Sequence, residues 1–174
     1  VFSGAGGLSA AMRSIGIPTD IPMEAFPSSH VYVKEHDLSC PHVVARLSVL
    51  IRAKCYSYIH FGVPCESWSA LQRMNGGSRR LAAPEGSGSF PKEVAANHMA
   101  SVVAQLCELM HAEGGRFSIE NPATSYLWLF GPIVALQSIS HKVSSDQCEY
   151  GLMPPHIASL EAKIRIKKGT SVLS

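Results

Sequence analysis

The chain has no apolar run approaching the roughly 18 residues that a bilayer-spanning helix needs, and no charged-then-apolar leader opens it. Those two absences point to a soluble, unsecreted protein with no membrane partner. Charge is scarce as well. Asp, Glu, Lys and Arg make up 16% of the residues, and 15 basic against 13 acidic side chains leave a formal net charge of +2. So mild a balance gives none of the basic field that announces a nucleic-acid binder, and it does not oppose one. The five cysteines, Cys40, Cys55, Cys65, Cys107 and Cys148, are odd in number and include no CxxC pair. That excludes a disulfide framework and a zinc knuckle, and it favours a reducing, intracellular compartment: nuclear in a eukaryote, cytoplasmic in a bacterium or phage. His36, Cys40 and His42 lie close together, but no second ligand pair accompanies them, so no metal is expected. Internal repeats are absent. So are the GxGxxG of a dinucleotide binder and the GxxxxGK[ST] of a P-loop.

What is present suits one α/β domain. Apolar residues supply 46% of the 174, enough to bury a sizeable core. The chain opens at Val1 and closes at Ser174 inside strand-like runs, so it reads as a single domain, 1–174, incomplete at both ends. Val1-Phe2 runs into a glycine-rich turn, after which Leu8, Ala11, Met12 and Ile15 recur at helical spacing. A short strand is expected over 19–25, ending at Glu24, and a helix from Pro27-Ser28 to Glu35. Residues 43–52 carry helical periodicity, and 56–61 are aromatic and β-branched enough for a buried strand. Residues 75–91, rich in Gly, Ser and Arg, suit a mobile surface loop that closes over a site. Met99, Val102, Val103, Leu106, Leu109 and Met110 form an amphipathic stripe, and Phe117-Ser118-Ile119 begins another strand. A helical run to Gln137 and strands at 141–145 and 164–173 complete the pattern. This alternation predicts a mostly parallel, doubly wound sheet flanked by helices, with ligands at the carboxyl ends of its strands.

Three motifs fall on those ends. FSGAGG follows a strand and precedes a helix, where glycines permit a sharp turn and close approach to a ligand, although a purely structural turn would use them too. Glu24, ending the next strand, is placed to accept from the hydroxyls of a ribose, although a single Glu is more commonly a solvated surface carboxylate. In FGVPCESWS, Pro64 fixes the backbone ahead of Cys65, whose thiol is either inert and buried or a nucleophile activated by cations such as Arg73, Arg79 and Arg80. Glu120-Asn121-Pro122 closes an apolar strand with a carboxyl group that either caps a turn or serves as an acid.

In that order, the glycine loop, the strand-end Glu, PC followed by small polar residues, and ENP resemble the C5-cytosine-specific DNA methyltransferase family. Its members transfer a methyl group from S-adenosylmethionine to C5 of cytosine on a Rossmann-like fold. The chain is similar to a divergent, truncated catalytic domain of that family, without a target-recognition domain. The resemblance implies that Phe2, Ser3, Gly4, Gly6, Gly7 and Leu8 wrap the methionine part of the cofactor, that Glu24 binds its ribose and that Asp37 meets the adenine amino group. It makes Cys65 the nucleophile, with Pro64 its neighbour in the motif, and Glu120 the partner of the cytosine N3 edge. Arg73, Arg79, Arg80, Asn121 and Arg165 are then candidates for substrate contact. The implied substrate is DNA with a flipped cytosine, and the implied state is monomeric. RNA remains open because the same chemistry serves both polymers. A non-catalytic remnant that binds cofactor or nucleic acid also remains open: ENP stands where the family has ENV, and no QxRxR segment is present, Arg165 occupying that region.

Overall fold

The computed structural model describes residues 1, 2, 4, 6–27, 31–146 and 168–174. Its architecture is α/β. Helix α1 (Gly7–Ser14) and helix α2 (Pro41–Arg52) precede strand β1 (Tyr58–Gly62), and helix α3 (Pro91–Ala112) links β1 to strand β2 (Arg116–Pro122). A short helix α4 (Gly131–Ala135) and strands β3 (Lys142–Asp146) and β4 (Gly169–Leu173) follow. The strands lie in the order β1-β2-β4-β3. No described helix is long and apolar enough to cross a membrane.

The β1-α3-β2 unit frames the structure. A parallel pair needs a long crossover, and α3 supplies it, so Tyr58 pairs with Arg116 and Gly62 with Glu120 in parallel register. Proline at the first position of α3 starts the helix without losing a hydrogen bond. Val103, Leu106, Cys107 and Met110 on that helix, Ile59 and Phe61 on β1, and Phe117 and Ile119 on β2 belong to one buried cluster. Val1 extends the sheet beyond β1: its nitrogen donates to the His60 carbonyl at 2.7 Å, and Gly62 N–H donates to the Val1 carbonyl at 3.2 Å. This is the hydrogen-bond pattern of a parallel neighbour. Glycine at position 62 suits this close approach, since a Cβ there would lie a tight 3.0 Å from the Phe2 carbonyl oxygen.

Three expectations are corrected. The sheet is mixed, because β4 runs antiparallel to both β2 and β3. Nor is it clearly doubly wound: among the described residues the main helix packing on β1 and β2 comes from α3, and α1 buries none of its side chains. Over 19–25 the chain is irregular in place of the expected strand, and the described residues 31–35 of the expected helix contain only the start of a single 3-10 turn, Lys34–His36. Pro22 removes a backbone donor from the middle of 19–25, and Pro18 and Pro27 flank the segment on either side. The segment closes instead through Val33 N–H on the Ala25 carbonyl at 2.9 Å.

The alternate residues of β1 and β2 carry a polar cluster. Ser118 Oγ lies 2.5 Å from the Tyr58 hydroxyl and 2.8 Å from His60 Nδ1. Burial, with a smaller repulsion from the Val1 amino group, pushes His60 from 6.5 down to about 4. Between those two values the unfolded chain holds a proton at His60 that the folded chain does not, so stability falls as pH drops through that window. With solvent screening allowed for, this amounts to about 2 kcal/mol. Urea unfolding at pH 7 and pH 4.5 checks it: wild type should lose more stability on acidification than His60→Gln, and equal losses would refute the assignment.

Candidate active site

The glycine loop leaves the sheet edge through strained backbone. Phe2 has φ 53, a left-handed conformation uncommon for an aromatic residue, and Gly6 follows with φ 73. The loop is tied to Glu24, whose Oε2 accepts from Gly4 N–H at 2.9 Å while Oε1 accepts from Phe26 N–H at 3.3 Å. His36 Nδ1 lies 3.2 Å from the Glu24 carbonyl and 3.4 Å from its nitrogen, so this ring holds backbone. Asp37 accepts from the Tyr32 hydroxyl at 2.7 Å and from Ser39 N–H at 2.8 Å. Desolvation raises the Asp37 carboxyl, but these donors outweigh it and leave the group below its ordinary value. The structure thus brings Gly4, Glu24 and the Tyr32–Asp37 segment together. Leu8 and Gly7, on exposed α1, touch none of them through a hydrogen bond. Ser3 and Arg165 lie outside the described residues.

Sequence reasoning missed two aromatics here. The exposed rings of Phe26 and Tyr32 are 5.2 Å apart, beside the two carboxylates. An exposed aromatic pair offers a flat ring a stacking surface. The available signal was Phe26 two residues after Glu24.

The second half of the site is built at the carboxyl ends of β1 and β2. Cys65 is exposed, three residues beyond Gly62, with backbone φ −91 and ψ −8 at the head of the 3-10 turn Glu66–Trp68. Its carbonyl accepts from Trp68 N–H at 3.0 Å. Glu120, the register partner of Gly62, carries a buried Oε1 to which no described group donates. Leaving a buried acceptor unpaired costs about 1–3 kcal/mol, so this oxygen is suited to receive a ligand N–H. A cleft of about 310 Å³ is lined by Pro64, Glu66, Ser67 and Gln72 and by Phe90 and Lys92 at the start of α3; it touches the chain on both sides of Cys65, but neither Cys65 nor Glu120 lines it.

Asn121 sits inside the fold, with an Oδ1 that, like Glu120 Oε1, is buried without a described partner. Its side chain is fully buried, and Nδ2 donates to the Val63 carbonyl at 2.6 Å, tying the Cys65 segment to β2. Arg79 is buried as well. It is 2% exposed, its guanidinium stacks 3.6 Å above the Trp68 ring, and it donates to Ser67, Pro84, Asn97 and the Glu93 carbonyl. No phosphate can reach it. Burial lowers its pKa and the charges of Glu93 and Glu85 partly offset that, yet an arginine stays protonated. The 75–91 segment is therefore anchored through Arg79. Arg73 and Arg80 do face solvent, next to exposed Leu71 and Met74, although Arg80 also donates to the Arg79 carbonyl at 2.8 Å.

These residues present an exposed thiol and an unpaired buried carboxylate oxygen on neighbouring strand ends, next to the sheet edge from which a glycine loop and an oriented Glu24 project. Comparison of the chain with protein-family models, with curated proteins and with solved structures finds no match.

Proposed function

We propose that the chain is the Rossmann-like catalytic domain of an S-adenosylmethionine-dependent cytosine C5 methyltransferase acting on DNA. The observation that carries this reading is that exposed Cys65 follows the end of β1 by three residues, while Glu120, opposite Gly62 on the parallel strand β2, holds a buried oxygen with no described partner. The residues present suit the cofactor: the Glu24 carboxylate is oriented by Gly4 and Phe26 and keeps lone pairs for ribose hydroxyls, and Phe26 and Tyr32 offer a face to adenine. When bound, the cofactor supplies an electrophilic methyl group on a sulfonium.

Cys65, as the thiolate, adds to C6 of a cytosine turned out of the stack, forming an S–C6 bond and moving an electron pair to C5. Glu120 holds the N3 edge while that charge develops. Were the methyl group passed to carbon 5, with the sulfonium leaving as a neutral thioether, loss of the C5 proton to a base would return the electron pair that expels the Cys65 thiolate.

Incubation with labelled S-adenosylmethionine and either DNA or RNA tests the reading: label should enter DNA cytosine, and transfer to RNA alone would move the substrate class. Glu24→Ala should weaken cofactor binding at least tenfold in calorimetry, by loss of about 1.5–3 kcal/mol from hydrogen bonds to a charged group. Unchanged binding would remove Glu24 from the site.

A further inference from the structure

The segment that carries Cys65 is held from outside at both flanks. On one side, Asn121 Nδ2 grips the Val63 carbonyl at 2.6 Å. On the other, Arg79 Nε donates to the Ser67 carbonyl at 2.9 Å and a terminal nitrogen reaches Ser67 Oγ at 3.3 Å. Ser67 lies inside the 3-10 turn whose first hydrogen bond is accepted by the Cys65 carbonyl. Below that turn, Trp68 is fully buried between the Arg79 guanidinium and the Phe130 ring, 5.2 Å away.

Arg79 is itself held. Its donors to Pro84, Asn97 and the Glu93 carbonyl fix the fork in one orientation. The fully buried Glu93 carboxylate accepts from Ser78 N–H at 2.7 Å, from Arg79 N–H at 3.2 Å and from the Ser78 hydroxyl. Gly86, with φ +77, lets the chain pass this carboxylate, where any Cβ would overlap it. Such connections exceed what closing a surface loop requires. They run from the first turn of α3, through one guanidinium, to the residue two places after the thiol.

We propose that Arg79 is a positioning residue for Cys65, setting the 65–68 turn so that the thiol is presented at a fixed place relative to Glu120. This rests on the reading of Cys65 as the nucleophile. The planar fork carries the role: it spans the Ser67 carbonyl and hydroxyl with its central carbon 3.6 Å from the Trp68 ring centroid, which a lysine ammonium cannot do. A thiol displaced by about 1 Å loses on the order of 100-fold in attack rate.

The test uses the full chain with Arg79→Lys, and Ser67→Ala as a second variant that leaves the Arg79 contacts to Pro84, Asn97 and Glu93 in place. Two readouts are taken: amide hydrogen exchange at Trp68, and the rate of adduct formation at saturating 5-fluorocytosine duplex with S-adenosylmethionine, per folded molecule. Arg79→Lys should speed Trp68 exchange about tenfold or more and slow adduct formation about 100-fold, with half-saturating duplex unchanged. Ser67→Ala should move both in the same direction by less. A role in folding alone would lower the folded fraction and leave the rate per folded molecule intact, which would overturn the proposal. So would native protection at Trp68. If wild type forms no adduct on any oligonucleotide, the methyltransferase reading fails, and Trp68 exchange still decides whether Arg79 holds the turn.

Discussion

Glu93→Ala should cost about 3–5 kcal/mol of stability, more than any other single change at the site. The side chain is fully buried, and its removal leaves Ser78 N–H, the Ser78 hydroxyl and Arg79 N–H without their acceptor. Each orphaned donor costs about 1–3 kcal/mol, and the Arg79 guanidinium loses the nearby negative charge that offsets its own burial. Desolvation raises the Glu93 carboxyl, but the Ser78 and Arg79 donors and the Arg79 charge outweigh it and leave the net shift downward. A carboxylate with a depressed folded-state pKa stabilises above its unfolded value, and that stability is lost as pH falls through the folded one. The substitution should therefore matter most near neutrality. Urea unfolding at pH 7 should show the unfolding free energy falling by a large share of the roughly 5–15 kcal/mol typical of a domain. A loss under 1 kcal/mol would mean that the 75–91 segment is not anchored through this carboxylate.

Glu120→Gln should slow covalent capture of cytosine by about 10²–10⁴ while leaving oligonucleotide affinity within a few-fold. The glutamine has nearly the same shape, so β2 and its register with β1 and β4 should survive. What changes is the group facing the cytosine ring: a neutral amide replaces a carboxylate whose buried oxygen has no described donor. The electron density that develops at N3 as the thiol adds then lacks a carboxyl group to donate a proton to it, a loss that falls on the rate and not on binding. Single-turnover kinetics with 5-fluorocytosine duplex separates the two quantities. A rate within fivefold of wild type would remove Glu120 from the chemistry.

Local pattern made the centre of the fold legible. The stripe from Met99 to Met110 marked α3, the apolar runs around Tyr58 and Phe117 marked the strands on either side of it, and a helix between two strands implies a parallel pair. Cys65 and Glu120 at neighbouring strand ends follow from that unit. The antiparallel entry of β4 between β2 and β3 left no local trace, since strand order is set by packing over distance. At 19–25 the apolar spacing outweighed Pro22, whose missing donor counts against a strand ladder there. Arg79 was the largest misreading. An arginine among glycines and serines looks solvated, and its burial depends on Ser67 twelve residues before it and Glu93 fourteen after. Asn121 likewise reads as a motif neighbour until its side chain is seen on Val63, 58 residues away.

The central claim is that Cys65 is the nucleophile that attacks a cytosine. Fluorine at C5 blocks the final elimination, so a methyltransferase of this chemistry becomes trapped on its substrate. Intact-mass spectrometry after incubation with S-adenosylmethionine and a 5-fluorocytosine oligonucleotide should show one covalent adduct on wild type, mapped to Cys65, and none on Cys65→Ala. Folded wild-type protein that forms no adduct, or an adduct that persists in Cys65→Ala, would contradict the account.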